Sequence, residues 1–471
     1  MSFKKYQDKI FNILLLLIYI SITLISVLHH EIWRDEAQVW LVTRDLSFLG
    51  IINHVRNEGH PLLWYFLVLP FSKLNLPVFS MQMISWIFMT ISAGFLLFKS
   101  PFNKISKICI LFSAGFLYWL PVISRNYSLI PLFLIGAAYF YSTQKEHPYI
   151  YSAIVALLSQ THILMCGFCT GLTVLFGYEH LLKNKEVFEK KKPFLFSFMI
   201  MSFSILALFV YIITRPDDNI SIQQFVSDHG INLLRSFLEV FLNLYGGITF
   251  LWLIIITMFI ITASAIIFHE NKKLFIVYLF SILYQFMIYV LVWQTSPEKA
   301  FTFLLTIIFC FWIILNKADL TQKRKIIYNL VLSAILAFSF QASYQITMND
   351  INYDYSGSKK TAEFIKKNIS SDSVIISNNP LTTAGVFAYL PGRKFYSPNY
   401  KAFYTLGFGE NLDLSTPFSF EKEDKFKNKK VYYLYSGMGK PETTKKIIYA
   451  SDETTLIPTE VYYIIDEQDK K

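Results

Sequence analysis

Residues 10–28 read IFNILLLLIYISITLISVL, and residues 29–38 follow at once as HHEIWRDEAQ. The first stretch has no charged side chain and, at about 20 residues per crossing, is long enough to span a bilayer as a helix. The second sets six ionisable side chains at its far end. Lys4, Lys5 and Lys9 precede the apolar stretch and no small-residue cleavage pattern follows it. That arrangement reads as an uncleaved signal anchor with a cytoplasmic N-terminus.

Further apolar runs lie at 78–98, 105–123, 127–142, 149–160, 163–182, 193–213, 248–268, 274–293, 300–315 and 326–346. The 471 residues are 54% hydrophobic and only 16% charged, where soluble domains are about a quarter charged. A single soluble globule is excluded. The expected fold is a mainly α, polytopic membrane helical bundle of about eleven spans with a small C-terminal α/β domain. Leu62 to Phe71 is read as a short, partly inserted helix. If it crossed fully, every later loop would invert and the five lysines in 183–192 would lie outside. With this choice the cytoplasmic segments hold 18 Lys and Arg against eight in the outer segments before the tail, the bias expected for a cytoplasmic N-terminus and a non-cytoplasmic tail in the cell (inner) membrane. The formal net charge of +10 is a topology signal, and nucleic acid is not an expected partner.

The expected division is a transmembrane catalytic domain over 1–346, with an outer-face juxtamembrane loop at 29–77, and a non-cytoplasmic α/β domain over 347–471. The tail carries 17 Lys and Arg against 16 Asp and Glu. In it, Ser358 to Asn368 reads as an amphipathic helix capped by Ser358. Strands are expected at Val374–Ser377, Val431–Tyr435 and Val461–Ile465, with a turn at Pro391-Gly392. Cys109, Cys166, Cys169 and Cys310 all lie in apolar runs, so no secreted disulfide framework is written. The C-x-x-C spacing of Cys166 and Cys169 reads as small residues at a helix contact.

The chemistry is concentrated on one expected face. Trp33, Ala37, Trp40 and Leu41 recur at helical spacing, which predicts a helix lying on the bilayer with Arg34, Asp35 and Gln38 turned from the lipid. A carboxylate would then sit at the depth of a lipid phosphate. His60-Pro61-Leu62 opens the next element, with the proline fixing the helix entry. Ser124-Arg125-Asn126-Tyr127-Ser128 lies at the outer end of a span, where a guanidinium suits a bidentate phosphate contact. His29, His30, Glu31, His54 and His60 with Glu36 leave a zinc or other divalent metal as an alternative, although their spacing matches no compact ligand pattern. His162 reads as a buried or interfacial hydrogen-bonding residue, and Arg215-Pro216-Asp217-Asp218 as an outer turn.

Taken in order, Asp35-Glu36, His60-Pro61-Leu62 and Arg125-Asn126-Tyr127 resemble the GT-C superfamily of integral-membrane glycosyltransferases, in particular the branch of protein O-mannosyltransferases and lipid A aminoarabinose transferases. The resemblance covers Phe11 to Leu182 best, and Tyr389-Leu390-Pro391-Gly392 in the tail is similar to tails of that family. Leu63 departs from it where a second proline is common. The resemblance implies transfer of a sugar from a polyprenyl-phosphate donor to a glycan, lipid or protein acceptor at the outer face, as in cell-envelope glycan chemistry. The acceptor hydroxyl needs a base and the departing phosphate needs cations. Asp35 is the expected base and Glu36 its companion, while Arg125 with Tyr127 is the expected phosphate clamp. Arg34, Arg56 and His60 are further substrate-binding candidates. The competing class is a multi-span transporter or flippase of lipid-linked or envelope substrates, which would call for charges buried in mid-span and related halves with broken helices.

The charge bias makes a direct prediction. A single cysteine at Gly59 should react with an impermeant maleimide in intact cells, and one at Asn184 should not. Labelling at Asn184 alone would reverse the orientation.

Overall fold

The computed structural model describes residues 3–58, 60–183, 187–214, 233–247, 249–292, 294–406, 418–420 and 423–469. The expected turn at Arg215-Pro216-Asp217-Asp218 lies outside them. The chain packs as two compact units: residues 1–25, 55–64 and 84–347 form one, and residues 26–54, 65–83 and 348–471 the other.

Helices α1 (Phe3–His29), α2 (Arg34–Asp45), α3 (Phe48–Glu58), α4 (Leu63–Lys73) and α5 (Phe79–Lys99) open the chain. The chain continues through α6 (Lys104–Leu111), α7 (Ile130–Tyr141), α8 (Pro148–Ser159), α9 (Cys166–Gly177), α10 (Phe188–Ile213) and α11 (Leu233–Tyr245). Helices α12 (Phe250–Glu270), α13 (Lys272–Leu291), α14 (Pro297–Leu315), α15 (Gln322–Ala337) and α16 (Phe340–Asn352) complete the helical part. Among the described residues, eight helical segments are long and apolar enough to cross a membrane, and 126–141 and 148–159 are shorter apolar helices. Helix α14 is apolar and buried almost all round, the mark of a central helix. By contrast α10 and α12 leave Phe203, Leu206, Met258 and Ile261 exposed, which an apolar solvent tolerates and water does not.

One expectation about the helices changes, and the short 62–71 helix is found. The run 105–123 is not one helix: α6 stops at Leu111 and a π turn covers Gly115–Trp119. Pro121 lacks the N–H that a continuing helix needs, and the backbone turns to reach Arg125. The 62–71 segment is α4, which starts at Leu63, two residues after Pro61, and contains Pro70. Its 11 residues span about 16 Å at 1.5 Å each, roughly half of a hydrocarbon core.

The second unit is built on a six-stranded mixed sheet in the order β3-β2-β1-β4-β6-β5. Its strands are β1 (Val374–Ser377), β2 (Phe395–Ser397), β3 (Ala402–Tyr404), β4 (Val431–Ser436), β5 (Lys445–Ala450) and β6 (Tyr462–Asp469). Strand β1 runs parallel to β2 and β4, and the remaining pairs are antiparallel. One face buries Ile376, Tyr396, Tyr433, Tyr463 and Ile465 in a common core. Gly392 turns with φ +80°, a conformation that suits glycine. Helices α17 (Ser358–Asn368) and α18 (Ala384–Ala388) also belong to the unit. Ser358 does not cap α17. Gly357 holds the N-cap position with no side chain to offer, and the Ser358 hydroxyl donates instead to the carbonyl of Ile32 at 2.7 Å. Helix α2 packs against α18 in the same unit. Ala37, Trp40 and Leu41 are therefore buried in protein and do not lie on a bilayer, while Trp33 is the N-cap before the helix.

Cys166 and Cys169 are buried free thiols on α9, which packs against α13. The approach there needs glycine, because a Cβ on Gly167 would lie 2.5 Å from the ring of Tyr284. On α7, a Cβ on Gly136 would meet Ile154 at an ordinary 3.5 Å. Gly167→Ala should therefore lower stability by about 1–3 kcal/mol. Gly136→Ala should be neutral or raise it by about 0.5–1 kcal/mol. Thermal midpoints in detergent check the pair, and equal midpoints would show that the α9–α13 contact is not tight.

Candidate functional site

Between α1 and α2 the chain runs through residues 30–33 without forming a helix, and the second unit supplies partners for that strap. Ile32 donates its N–H to Tyr389 Oη at 2.9 Å, and its carbonyl accepts from Ser358. Glu31 Oε2 accepts the N–H of Tyr355 at 2.8 Å, and the carbonyl of His30 accepts from Gln82 Nε2 at 3.0 Å. A Cβ on Gly385 would lie 3.2 Å from the Ile32 carbonyl oxygen and 2.8 Å from Ser358 Cβ, so only glycine permits this closeness.

His30 stands at the centre of the strap. Its Nε2 faces Glu36 Oε2 at 2.9 Å and its Nδ1 faces Asp350 Oδ2 at 3.1 Å, with all three side chains closed to solvent. The ring meets Tyr355 edge-on, with centroids 4.4 Å apart. Burial opposes a charge on this imidazole, but the Asp350 and Glu36 carboxylates outweigh it and push His30 up to about 10. The geometry suits an imidazolium, the form that can donate from both nitrogens. Glu36 Oε2 also accepts the N–H of Trp33 at 3.4 Å, which ties the first turn of α2 back on itself.

Asp35, in that same turn, is different. It is about one-third exposed and has Arg34 Nε at 3.6 Å, a loose surface pair that stabilises little. The Arg34 guanidinium lies 5.8 Å from the Trp33 ring centroid. Gln38 Nε2 and His54 Nε2 are 2.9 Å apart. Arg44 grips Asp45 through two bonds at 2.7 and 3.0 Å and reaches the carbonyl of Phe387.

The first unit gathers a different chemistry. Arg125 is extended before a 3-10 turn over Asn126–Leu129. Asn126 Nδ2 donates to the carbonyl of Thr161 at 2.6 Å, bringing the Arg-Asn-Tyr turn beside His162. The rings of Tyr127 and His162 stack at 4.6 Å, and His60 lies 5.9 Å from His162. The Arg125 guanidinium is 5.9 Å from the Tyr127 ring centroid. His162 Nδ1 accepts the N–H of Leu164 at 3.1 Å. Burial holds His162 well below the usual histidine range, and the charges of His60, Lys299 and Arg125 press it further down. A neutral imidazole thus sits among three basic residues. Arg56 belongs to this unit too, and its Nε is buried with no hydrogen-bond partner among the described residues.

Of the residues singled out in the sequence, Arg34, Asp35 and Glu36 lie in the second unit, and Arg56, His60, Arg125 and Tyr127 in the first. Within the first, His60, Arg125 and Tyr127 converge on His162. Within the second, Glu36 turns to buried His30, whereas Asp35 stays accessible. Lys299, Asp350, Tyr355 and Glu460 lie outside every motif of the sequence. Among the described residues no three His, Cys, Asp or Glu side chains are grouped to hold a metal ion. His30 spends both ring nitrogens on carboxylates.

The apolar spans make this an integral membrane protein, a helical bundle with a small mixed-sheet domain. Among solved structures the chain is similar to ArnT from Cupriavidus metallidurans, crystallised bound to undecaprenyl phosphate, with a TM-score of 0.54, 8% identity, and 97% of this chain and 98% of that chain covered. At that identity the likeness is one of fold. No protein-family model matches the chain, and no curated protein does.

The His30 bridge carries a sign that can be measured. A histidine raised in the folded state stabilises fully below its unfolded value, about pH 6.5, and loses that contribution as pH rises through about 10. The thermal advantage of the natural protein over His30→Gln should be largest near pH 6 and shrink toward pH 10. Asp350→Ala, which removes one partner of a buried charge, should cost about 3–5 kcal/mol. A pH-independent gap for His30→Gln would show that the imidazole is neutral.

Proposed function

We propose that this chain is a membrane glycosyltransferase of the lipid-phosphate-sugar-dependent kind, moving a sugar from a polyprenyl-phosphate donor to a glycan, lipid or protein acceptor on the outer face of the cell membrane. The observation that carries the reading is the gathering of Arg125 and His60 beside the Tyr127–His162 stack. Cations gathered beside a buried neutral imidazole suit a lipid phosphate, and an aromatic face suits a sugar or prenyl chain. The ArnT structure supports it, because a protein of this fold holds undecaprenyl phosphate.

In the proposed reaction the acceptor hydroxyl oxygen attacks the anomeric carbon of the donor sugar while the bond from that carbon to the phosphate oxygen breaks. The hydroxyl proton passes to Asp35, the accessible carboxylate of α2. The bonding pair leaves with the lipid phosphate, whose charge Arg125, Lys299 and His60 stabilise. Glu36, closed to solvent and bound to His30, acts on Asp35 by holding its helix turn. Arg34 and Arg56 serve substrate binding. The N-terminus lies in the cytoplasm, and the tail outside.

Sugar release from a panel of polyprenyl-phosphate sugars by purified protein tests this, beside donor binding on the same samples. Asp35→Asn should lower turnover by roughly 10²-fold or more with donor binding little changed. Arg125→Ala should weaken donor use by about 2–4 kcal/mol, far more than Lys73→Ala, whose ammonium is spent on the carbonyls of Arg44 and Leu46. Near-normal turnover in Asp35→Asn would refute the base. No donor binding by the natural protein would turn the reading to a transporter.

A further inference from the structure

Arg34 N–H is one of the four amide groups that an α-helix leaves without an internal partner at its start. The usual remedy is a Ser, Thr, Asp or Asn side chain at the N-cap, and here the N-cap is Trp33. The partner comes from the other end of the chain. Glu460, in the short 3-10 turn Pro458–Glu460 before β6, accepts Arg34 N–H on Oε1 at 3.0 Å. Its Oε2 accepts the hydroxyl of Ser356 at 2.6 Å and meets Tyr462 Oη at 3.4 Å. Ser356 in turn accepts the N–H of Ser358 at 3.1 Å, while Tyr462 donates to the carbonyl of Thr382 at 2.7 Å. The carboxylate is fully buried and accepts from the Arg34 amide and the Ser356 hydroxyl.

We propose that Glu460 is a positioning residue for Asp35: its carboxylate fixes the first turn of α2, and its charge contributes to the field in which Asp35 takes a proton. The proposal rests on the general-base reading above. The charged or titratable groups facing Glu460 are Arg34 and Asp35 from α2 and Tyr462 from β6. Burial raises the Glu460 carboxyl, the bonds from Ser356 and the Arg34 amide and the Arg34 charge pull it down, and Asp35 adds to the rise, leaving it at about 7. A buried carboxylate that titrates near neutrality is costly for the fold. A carboxyl raised in the folded state loses stability as pH climbs from its unfolded value toward about 7.

Two substitutions separate cap from charge. Glu460→Gln keeps an oxygen for Arg34 N–H and removes the charge, whereas Glu460→Ala removes both. Glu460→Gln should raise the thermal midpoint at pH 8 and leave it nearly unchanged at pH 5. It should also lower kcat several-fold with donor KM unchanged, and remove from the pH–rate profile a limb near pH 7. Glu460→Ala should lower kcat by about 10²-fold, the scale of a misplaced reacting group, and speed hydrogen exchange in residues 32–38, where Glu460→Gln should not. Turnover and exchange like those of the natural protein in both variants would overturn the proposal. If the natural protein turns over no donor, the general-base reading fails, and the exchange contrast still decides whether Glu460 holds α2.

Discussion

Every buried backbone amide and carbonyl must be paired, and the strap at residues 30–33 has no ladder of its own with which to do it. Tyr389, Ser358, Gln82 and the Glu36 carboxylate supply the bonds, and Glu460 continues the pattern at Arg34. All of these groups belong to one unit, which explains why that unit draws its residues from two ends of the chain. A partner lost from this set leaves a buried polar group without its bond, at a cost of about 1–3 kcal/mol. A loop that would be costly to bury alone is affordable only as part of the sheet domain.

The same constraint sorts the two neighbouring carboxylates of α2. Glu36 and Asp35 both lie in the first turn, where the helix dipole favours negative charge, yet successive helical positions point about 100° apart. One direction leads into the strap, where a buried carboxylate must find an opposite charge, and His30 provides it while Asp350 balances the other nitrogen. The other direction leads to solvent and Arg34. Adjacent in sequence and alike in chemistry, the two acids are divided by burial into a structural group and an accessible one.

That division marks the limit of what a linear reading reaches. The apolar spans, the acidic segment after the first span and the Arg-Asn-Tyr turn are local patterns, and Val374-Ile375-Ile376 stands out as a run of β-branched residues. Strands β2 and β3 have three residues each, too few to show a period, and β5 begins with two lysines. The stripe Ala37, Trp40, Leu41 was legible as apolar but not for what covers it: a buried helix face and a lipid-facing one have the same periodicity. Asp350 and Glu460 are single acids in a tail of mixed charge. Their partners lie 320 and 426 residues away, and no spacing rule spans such a distance.

The arrangement also explains why the accessible acid is placed on α2. At 12 residues the helix is no longer than the marginal length for an isolated helix in water, about 12–15 residues, so its position is set by what holds its ends and its buried face. Its N-terminus is held by Glu36 and Glu460, its face by Ala384–Ala388, and its last turn by Arg44 on Phe387 and by Lys73 on the carbonyls of Arg44 and Leu46. A carboxylate on such an element keeps its direction without being buried. Rigidity comes from the bonds at its neighbours while the Asp35 side chain stays about one-third exposed, the combination that the proposed general base requires.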